Sequence, residues 1–356
     1  MNIDKFLPEI LVRYSREHDR YLKLATRVAD ICREEIVGAN AIRAQVTFRT
    51  KSETSLVGKL RRLAGKQELP PMVEPLFNLV GDLAAVRIST YEERSQKKVE
   101  QEIQKRFMAP DGGPINPEQK DKQAADKNNF YCATHFQACL RPDDLVETYR
   151  NLAGAPCEIQ VCTMMAHVWN EIEHDLGYKP LSGNLSKREK DLLITLGQLT
   201  RTGDGVISQL LDATNARQEE LEGQFEDVYD FVARMRKWFS KDLANYAGQL
   251  FEELRTLGIT TPKEIEALIG DKTGIAERAS TALAEFNAEL KRRSELRYML
   301  EEDSSDLLLV LLLPKLAEQI TGNHPTGRGI GGPPRIAWIA ARFRPDATES
   351  VDAPLA

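Results

Sequence analysis

The stretch PCEIQVCT, residues 156–163, running into MMAHVWNEIEHDL, residues 164–176, decides the fold class of this chain. In an extended backbone alternate side chains share a face, so Ile159 and Val161 point one way, into a core, while Glu158 and Gln160 point the other. Two polar residues on one face of an otherwise apolar strand need a partner or a purpose. The residues that follow place apolar side chains at helical spacing, so a strand feeds straight into an amphipathic helix over Met164–Leu176. On that helix His167, Glu171 and His174 recur at i, i+4 and i+7 and form one stripe.

Further strands and helices are read outward from this unit. Residues 3–38 have apolar positions at helical spacing, and alternation from Ala44 through Val46 and Phe48 predicts a short strand to about Arg49. A helix is expected over Glu53–Ala64, a strand within Asp82–Thr90, a helix over Glu92–Phe107 and a strand over Tyr131–Leu140. Residues 108–128, with Pro and Gly early and Lys and Asp late, read as a flexible loop. Strands interleaved with helices make residues 1–185 an α+β unit with a mixed sheet flanked by helices. Residues 186–320 then read as a mainly α-helical domain, broken at Gly203–Gly205, Gly258–Pro262 and Gly270–Gly274. Within it Thr261, Pro262 and Glu264 spell a helix start. Residues 321–356 form a Gly/Pro-rich linker and tail, with Arg335–Phe343 as a candidate final strand.

Composition excludes several classes. The chain has 356 residues, 42% of them hydrophobic and 29% charged, which suits a soluble protein of two or three domains. A net charge of −6 argues against a general nucleic-acid coat protein. The five cysteines, Cys32, Cys132, Cys139, Cys157 and Cys162, show no zinc-finger spacing and read as buried or idle thiols of a reducing cytoplasm. The start MNIDKFLPEI is unlike a signal peptide, and the apolar run Leu307–Leu313 is far short of a bilayer span. A cytoplasmic location with no membrane partner is expected.

Four clusters carry chemistry. Arg49, Lys51, Ser55 and Lys59 leave a strand end and enter a helix, and all four can face one point, as a polyphosphate requires; the plain alternative is a solvated basic helix face. Asp82 opens a strand five residues before Arg87, which suits a Mg²⁺ ligand beside a phosphate-binding arginine, or merely a surface ion pair. Tyr131 and His135 share a strand face behind Lys127 and Asn129, so a base could stack on the ring, or both could be core. Glu158 and Gln160 lead into the His167, Glu171, His174 stripe. That stripe lacks the HExxH spacing of a zinc protease and the second helix pair of a di-iron bundle, so it reads as hydrogen-bonded or substrate-facing.

Together and in this order the clusters resemble the synthetase domain of the RelA/SpoT family, particularly its small single-synthetase members. Arg49, Lys51, Ser55 and Lys59 fill Arg-x-Lys-x3-Ser-x3-Lys; Asp82 and Arg87 follow; Lys127, Asn129, Tyr131 and His135 fill most of Lys-x-Asn-Gly-Tyr-x3-His. Glu158, Gln160, Thr163, Trp169, Glu171, His174, Tyr178 and Lys179 fill the last block. The resemblance covers roughly residues 20–185. It implies a nucleotidyltransferase-type mixed sheet and a GTP pyrophosphokinase activity, transfer of pyrophosphate from ATP to the 3′-hydroxyl of GDP or GTP. ATP would lie on Arg49, Lys51, Ser55, Lys59 and Arg87. Asp82 and Glu158 would bind Mg²⁺, with Glu158 taking the hydroxyl proton. Tyr131 would stack on the acceptor base, with Lys127, Asn129, His135, Gln160 and His174 around that nucleotide.

Two positions depart from the family pattern. Phe130 stands where glycine is usual, which restricts the backbone and alters the acceptor pocket. Cys162 replaces an arginine and removes a cation. Some small members of the family are toxins that use adenine nucleotides or the 3′ end of tRNA as acceptor, so those acceptors stay open. An inactive module that senses guanine nucleotides is a second alternative, disfavoured by the presence of both Asp82 and Glu158. A nucleotidyltransferase of RNA or protein would need a serine after Gly81 and a second carboxylate near Asp82. The family's hydrolase half is not expected, since only His18 and Asp19 precede the synthetase blocks, on what reads as an exposed helix. For residues 186–356, oligomerisation, regulation or neutralisation of a toxic synthetase are the jobs considered, and a homo-oligomer is expected. His324 reads as a solvated loop histidine.

Overall fold

A computed structural model describes residues 3–66, 68, 70, 72–177, 185–324 and 334–343. By contacts the chain falls into two units, residues 1–37 with 42–210, and residues 38–41 with 211–356. The division lies inside a long helix, not at 185/186 where the sequence changes character.

Among the described residues the first unit holds five strands, β1 (Ala44–Thr50), β2 (Ala84–Thr90), β3 (Glu118–Asp121), β4 (Cys132–Ala138) and β5 (Cys157–Thr163), in the order β1-β2-β5-β4-β3. Of these, only β2 and β5 run parallel; β1, β4 and β3 pair antiparallel with their neighbours, so the sheet is mixed. Its helices are α1 (Leu7–Ile31), α2 (Glu53–Ala64), α3 (Val73–Asn78), α4 (Glu93–Arg106), α5 (Met164–Ile172) and the first part of α6 (Lys187–Gln218). Each strand splits its residues between two faces. Val86, Ile88, Ile159, Val161 and Phe136 turn to one core, shared with Leu24, Val28 and Ile31 of α1 and Val99 and Ile103 of α4. Burial of these apolar side chains supplies the main drive for the unit.

Several expectations are corrected. Residues 108–128 are not wholly loop, because Glu118–Asp121 forms the edge strand β3; its polar composition hides it, and only pairing with β4 reveals it. The helix after β5 is α-helical to Ile172 and continues as a π-helical turn over Glu173–Gly177. No break occurs at Gly203–Gly205, where α6 runs through; Gly203 lies against the Met165 side chain, where a Cβ would sit 2.5 Å from Met165 Cε. His18 is half-buried and bonds Thr50 Oγ1 at 3.0 Å.

The second unit contains α7 (Val228–Phe239), α8 (Ala247–Thr256), α9 (Pro262–Ile269), α10 (Ile275–Arg292), α11 (Asp306–Asn323) and α12 (Arg335–Ala340). The capping box at Thr261 and Glu264 is formed, each side chain meeting the other residue's backbone N–H. The apolar run Leu307–Leu313 lies in α11, buried except for the partly exposed Leu311, and no described helix is long and apolar enough to cross a membrane. Arg335–Phe343 is not a strand; it opens with α12, whose Ile336, Trp338 and Ile339 join the helical core. His324 is not simply solvated, since its Nε2 lies 2.8 Å from Glu253 Oε2.

Candidate active site

The pairing register sets the site. Arg49 lies opposite Ala85, Ala85 opposite Glu158, and Glu158 opposite Gln137; two residues along, Thr47, Arg87, Gln160 and His135 form a second row. Because alternate residues share a face, both rows lie on the sheet face opposite the α1–α4 core. Thr47, Phe48, Arg49, Arg87 and Gln160 line a cleft on the β1–β2–β5 part of the sheet.

At one end of the rows the β1–β2 ladder continues past the strands, with Lys51 N–H donating to Leu83 O at 3.1 Å. This brings Lys51 beside Asp82. Lys51 Nζ donates to Asp82 Oδ2, and Lys59 Nζ, from α2, reaches Asp82 Oδ1 at 2.7 Å. Burial pushes the Asp82 carboxyl up, but the two ammonium groups outweigh it and hold it below its ordinary range. Burial also lowers Lys51, against the pull of Asp82. Gly81 lies against the Gln137 amide, and a Cβ there would sit 2.6 Å from Gln137 Oε1, so a side chain at 81 would turn that amide aside. Ser52 caps α2 by accepting from Ser55 N–H, and Ser52 and Ser55 hydroxyls are 2.9 Å apart. The Tyr14 hydroxyl donates to Lys51 O, pinning the strand end from α1.

In the middle, Glu158 is buried on the central strand and fully engaged. Its Oε1 is 3.1 Å from His135 Nδ1, and its Oε2 accepts from Gln160 Nε2 at 2.6 Å. Burial raises its pKa, His135 lowers it more, and the nearby Asp82 charge opposes, leaving it below the ordinary value. His135 uses its other nitrogen on the Tyr131 hydroxyl, 2.9 Å away, so tyrosine, histidine and glutamate form a chain. The Tyr131 ring is half-buried and carries Lys122 Nζ 4.4 Å from its centroid. Arg87 reaches Gln160 Oε1 at 3.2 Å, His167 Nδ1 at 2.9 Å and Glu171 Oε1 at 2.7 Å, so two of the three stripe residues orient this arginine.

The structure thus brings Lys51, Lys59, Asp82, Arg87, Tyr131, His135, Glu158 and Gln160 to one face. Arg49 is exposed at its edge. Lys127 lies exposed in the loop before β4, and Asn129 accepts from Tyr131 N–H at 3.1 Å, shaping the backbone there. His174 sits in the π-helical turn, 3.5 Å from Asp175. Tyr178 and Lys179 lie outside the described residues. The sequence reading missed Lys120, whose Nζ is 3.4 Å from His135 Nδ1, and Lys122. The signal for both is the alternation Glu118, Lys120, Lys122, which is weak because the intervening Gln119 and Asp121 are polar too.

All five cysteines are free, four of them buried and Cys132 partly so, and among the described residues no group of three or more His, Cys, Asp or Glu could hold a metal ion. Asp82 and Glu158 fit Mg²⁺ in a narrower sense. They are hard oxygen donors within electrostatic reach of each other, and Mg²⁺ is commonly held by one or two carboxylates plus substrate phosphates.

Residues 48–182 match the family model described as "Region found in RelA / SpoT proteins". No curated protein sequence matches the chain. Among solved structures, the small alarmone synthetase 1 of Bacillus subtilis is 22% identical, covering 56% of this chain and 97% of its own, at a TM-score of 0.42. A GTP pyrophosphokinase family protein from Streptococcus pneumoniae is 20% identical, covering 57% of this chain and 94% of its own, at a TM-score of 0.45. The Bacillus synthetase bound to its product pppGpp is 21% identical, covering 54% and 95%, at 0.40. Over the matched residues, 48–182, the chain carries a RelA/SpoT synthetase domain.

Proposed function

From that RelA/SpoT synthetase domain, we propose that this protein moves the β,γ-pyrophosphoryl group of ATP to the 3′-hydroxyl of GDP or GTP, making ppGpp or pppGpp. The observation that carries the reading is the shared sheet face, with a lysine-bound carboxylate at Asp82 on one side and the Tyr131–His135–Glu158 chain on the other. A binding module needs cations and a stacking surface; it has no use for one buried and one part-buried carboxylate among them.

In this reading Arg49, Lys51, Ser55, Lys59 and Arg87 bind the ATP phosphates. Lys51 and Lys59 exchange Asp82 for phosphate oxygens, and Arg87 is held ready by Gln160, His167 and Glu171. Tyr131 offers the ring face opposite Lys122 to the acceptor base, while Lys127, Asn129, His135 and His174 lie on the acceptor side. Glu158, kept ionised by His135 and Gln160, takes the 3′-hydroxyl proton; the acceptor oxygen bonds to the β-phosphorus, the bond from that phosphorus to the α–β bridging oxygen breaks, and AMP leaves. Mg²⁺ held by Asp82 and Glu158 would neutralise phosphate charge and fix the donor's geometry. Positioning and charge neutralisation account for most of the catalysis in such transfers.

The test is incubation of pure protein with ATP labelled in the β- and γ-phosphates, Mg²⁺ and, separately, GDP, GTP, ADP and bulk tRNA. Label is expected in 3′-pyrophosphorylated guanosine nucleotide. Glu158→Gln, which keeps the shape and removes the base, should slow transfer roughly 10²–10⁴-fold. Label appearing only on ADP or tRNA would move the acceptor; label on none of the four, from folded protein, would reject the reading.

A further inference from the structure

We propose that α6 is part of the acceptor side of the site, with Phe130 as a positioning residue whose ring sits in a notch made by Gly197 and thereby sets where Tyr131 stands against the acceptor base. The inference rests on the reading of Tyr131 as the stacking platform given above.

The two neighbours point opposite ways. Tyr131 turns to the site and bonds His135, whereas Phe130 is 9% exposed and packs against Trp169 of α5, with ring centroids 6.1 Å apart. The Trp169 indole N–H donates to the backbone oxygen of Leu193 on α6 at 3.1 Å. One turn further along α6, Gly197 meets the Phe130 ring directly. A Cβ there would lie 2.2 Å from Phe130 Cδ2 and 2.3 Å from Cγ, a distance no side chain tolerates. One more turn on, the Arg201 guanidinium lies 5.8 Å from the same ring. Leu193, Gly197 and Arg201 are spaced by four, so a single face of α6 embraces Trp169 and Phe130. Thr163, at the end of the Glu158 strand, continues the contact by donating to Asp204 of α6 at 3.1 Å.

The notch is specific. Glycine inside a helix costs about 1 kcal/mol relative to alanine, so its presence at 197 calls for a packing reason. The segment it secures is also held by Tyr131 N–H to Asn129 Oδ1 at 3.1 Å, Asn128 N–H to Asp126 Oδ1 at 3.0 Å, Lys122 N–H to Tyr131 O at 3.1 Å and, just after it, Asn170 Nδ2 of α5 to Cys132 O at 3.2 Å. These hold the backbone of the turn and the start of β4, but none of them reaches α6. The Phe130 wedge supplies that tie, and its seat against Gly197 sets the ring beside Tyr131. Moving the ring drags the adjacent Tyr131 with it, and a misplacement of about 1 Å at a substrate-positioning group can cost on the order of 10²-fold.

The experiment uses the full chain, steady-state pyrophosphotransfer with ATP and the acceptor that wild type prefers, and three variants. Gly197→Ala should raise the acceptor KM on the order of 10- to 100-fold, with the ATP KM and the kcat at saturating acceptor within about two-fold of wild type. Phe130→Gly should raise the acceptor KM in the same selective way. The double variant Phe130→Gly with Gly197→Ala should be no worse than Phe130→Gly alone, because the ring that alanine strikes is gone; it also carries the test if Gly197→Ala alone fails to fold. A merely structural contact would lower the active fraction and move both substrates together. Equal changes in the two KM values, an unchanged acceptor KM in Phe130→Gly, or a double variant worse than Phe130→Gly alone would overturn the proposal while leaving the pyrophosphokinase reading in place. Wild type that transfers to no acceptor would instead reject that reading, and the role of Phe130 with it.

Discussion

Replacing Asp82 by asparagine should destabilise the nucleotide-free protein and free its lysines for phosphate at the same time. Asp82 is 14% exposed, Lys51 11% and Lys59 27%, so one carboxylate serves two ammonium groups in a site that water reaches only partly. The asparagine amide would keep one acceptor oxygen and no charge. Losing hydrogen bonds to a charged group costs about 1.5–3 kcal/mol each, and stranding a fully buried charge about 3–5 kcal/mol. Discounting for the exposure of Lys59, the sum for Asp82→Asn comes to about 2–4 kcal/mol at pH 7. In a unit of this size that lowers the midpoint of its unfolding transition by on the order of 10 °C. The pH dependence has a definite sign. Burial already depresses Lys51 below its ordinary value of 10.5, and Asp82 opposes that depression. Without Asp82 the folded-state value falls further, so the deficit is greatest at neutral pH and shrinks as pH rises through the unfolded lysine range. Scanning calorimetry of wild type and variant between pH 7 and 10 reads both effects. Adding a nucleoside triphosphate without Mg²⁺ should then stabilise the variant more than wild type, since Lys51 and Lys59 no longer have to leave a carboxylate. A midpoint within about 1 °C of wild type at pH 7, where the worked cost demands several degrees, would refute the reasoning by showing that solvent screens the cluster.

Two further outcomes are expected. Burial raises the Asp204 pKa above its ordinary value, the Thr163 hydroxyl offsets only part of this, and Asp204 Oδ1 is buried without a partner; a raised carboxylate costs stability above its unfolded pKa and nothing below it. Asp204→Asn should therefore raise the unfolding midpoint at pH 7, with the gain fading toward pH 4, and a variant less stable than wild type at pH 7 would contradict this. In the helical unit, Arg335 bonds both oxygens of the buried Asp306 at 2.7 and 2.6 Å and lies 3.7 Å over the Tyr246 ring; Arg335→Met should cost about 3–5 kcal/mol in that unit's transition, by leaving the carboxylate unpaired, and calorimetry showing less than about 1 kcal/mol would count against a closed ion pair.

Much of the first unit is legible because its strands are strongly patterned. Glu158 and Gln160 against Ile159 and Val161 announce both the strand and the face that carries chemistry. Arg49, Lys51, Ser55 and Lys59 announce a strand end and a helix start. What stays hidden depends on partners distant in sequence. β3 has no apolar residue to betray it and exists because β4 offers an edge. Gly203 reads as a breaker but is a contact point for Met165. Residues 335–343 look strand-like from their Ile and Trp, yet among the described residues no neighbouring strand exists for them, and an apolar helix buried in the helical core satisfies the backbone internally. Phe130 reads as a stiffer backbone beside Tyr131, and its fit to Gly197 becomes visible only once α6 is folded back across α5.

The two-faced sheet also allows a charged residue to survive on its central strand. An ionised carboxylate buried alone would be protonated or expelled. Glu158 has His135 and Gln160 on its two oxygens, and both come from the same sheet face, one from the neighbouring strand and one from two residues along its own. That arrangement is possible only because the opposite face of β5 carries the whole apolar load through Ile159 and Val161, leaving alternate positions of β2, β5 and β4 free for Arg87, Gln160, Glu158 and His135. Replacing Ile159 or Val161 would therefore disturb packing first and chemistry second, whereas replacing His135 would leave the core intact and strip Glu158 of the group that keeps it ionised. The division of labour between the faces, rather than any single residue, is what lets a stable sheet hold a reactive carboxylate at its centre.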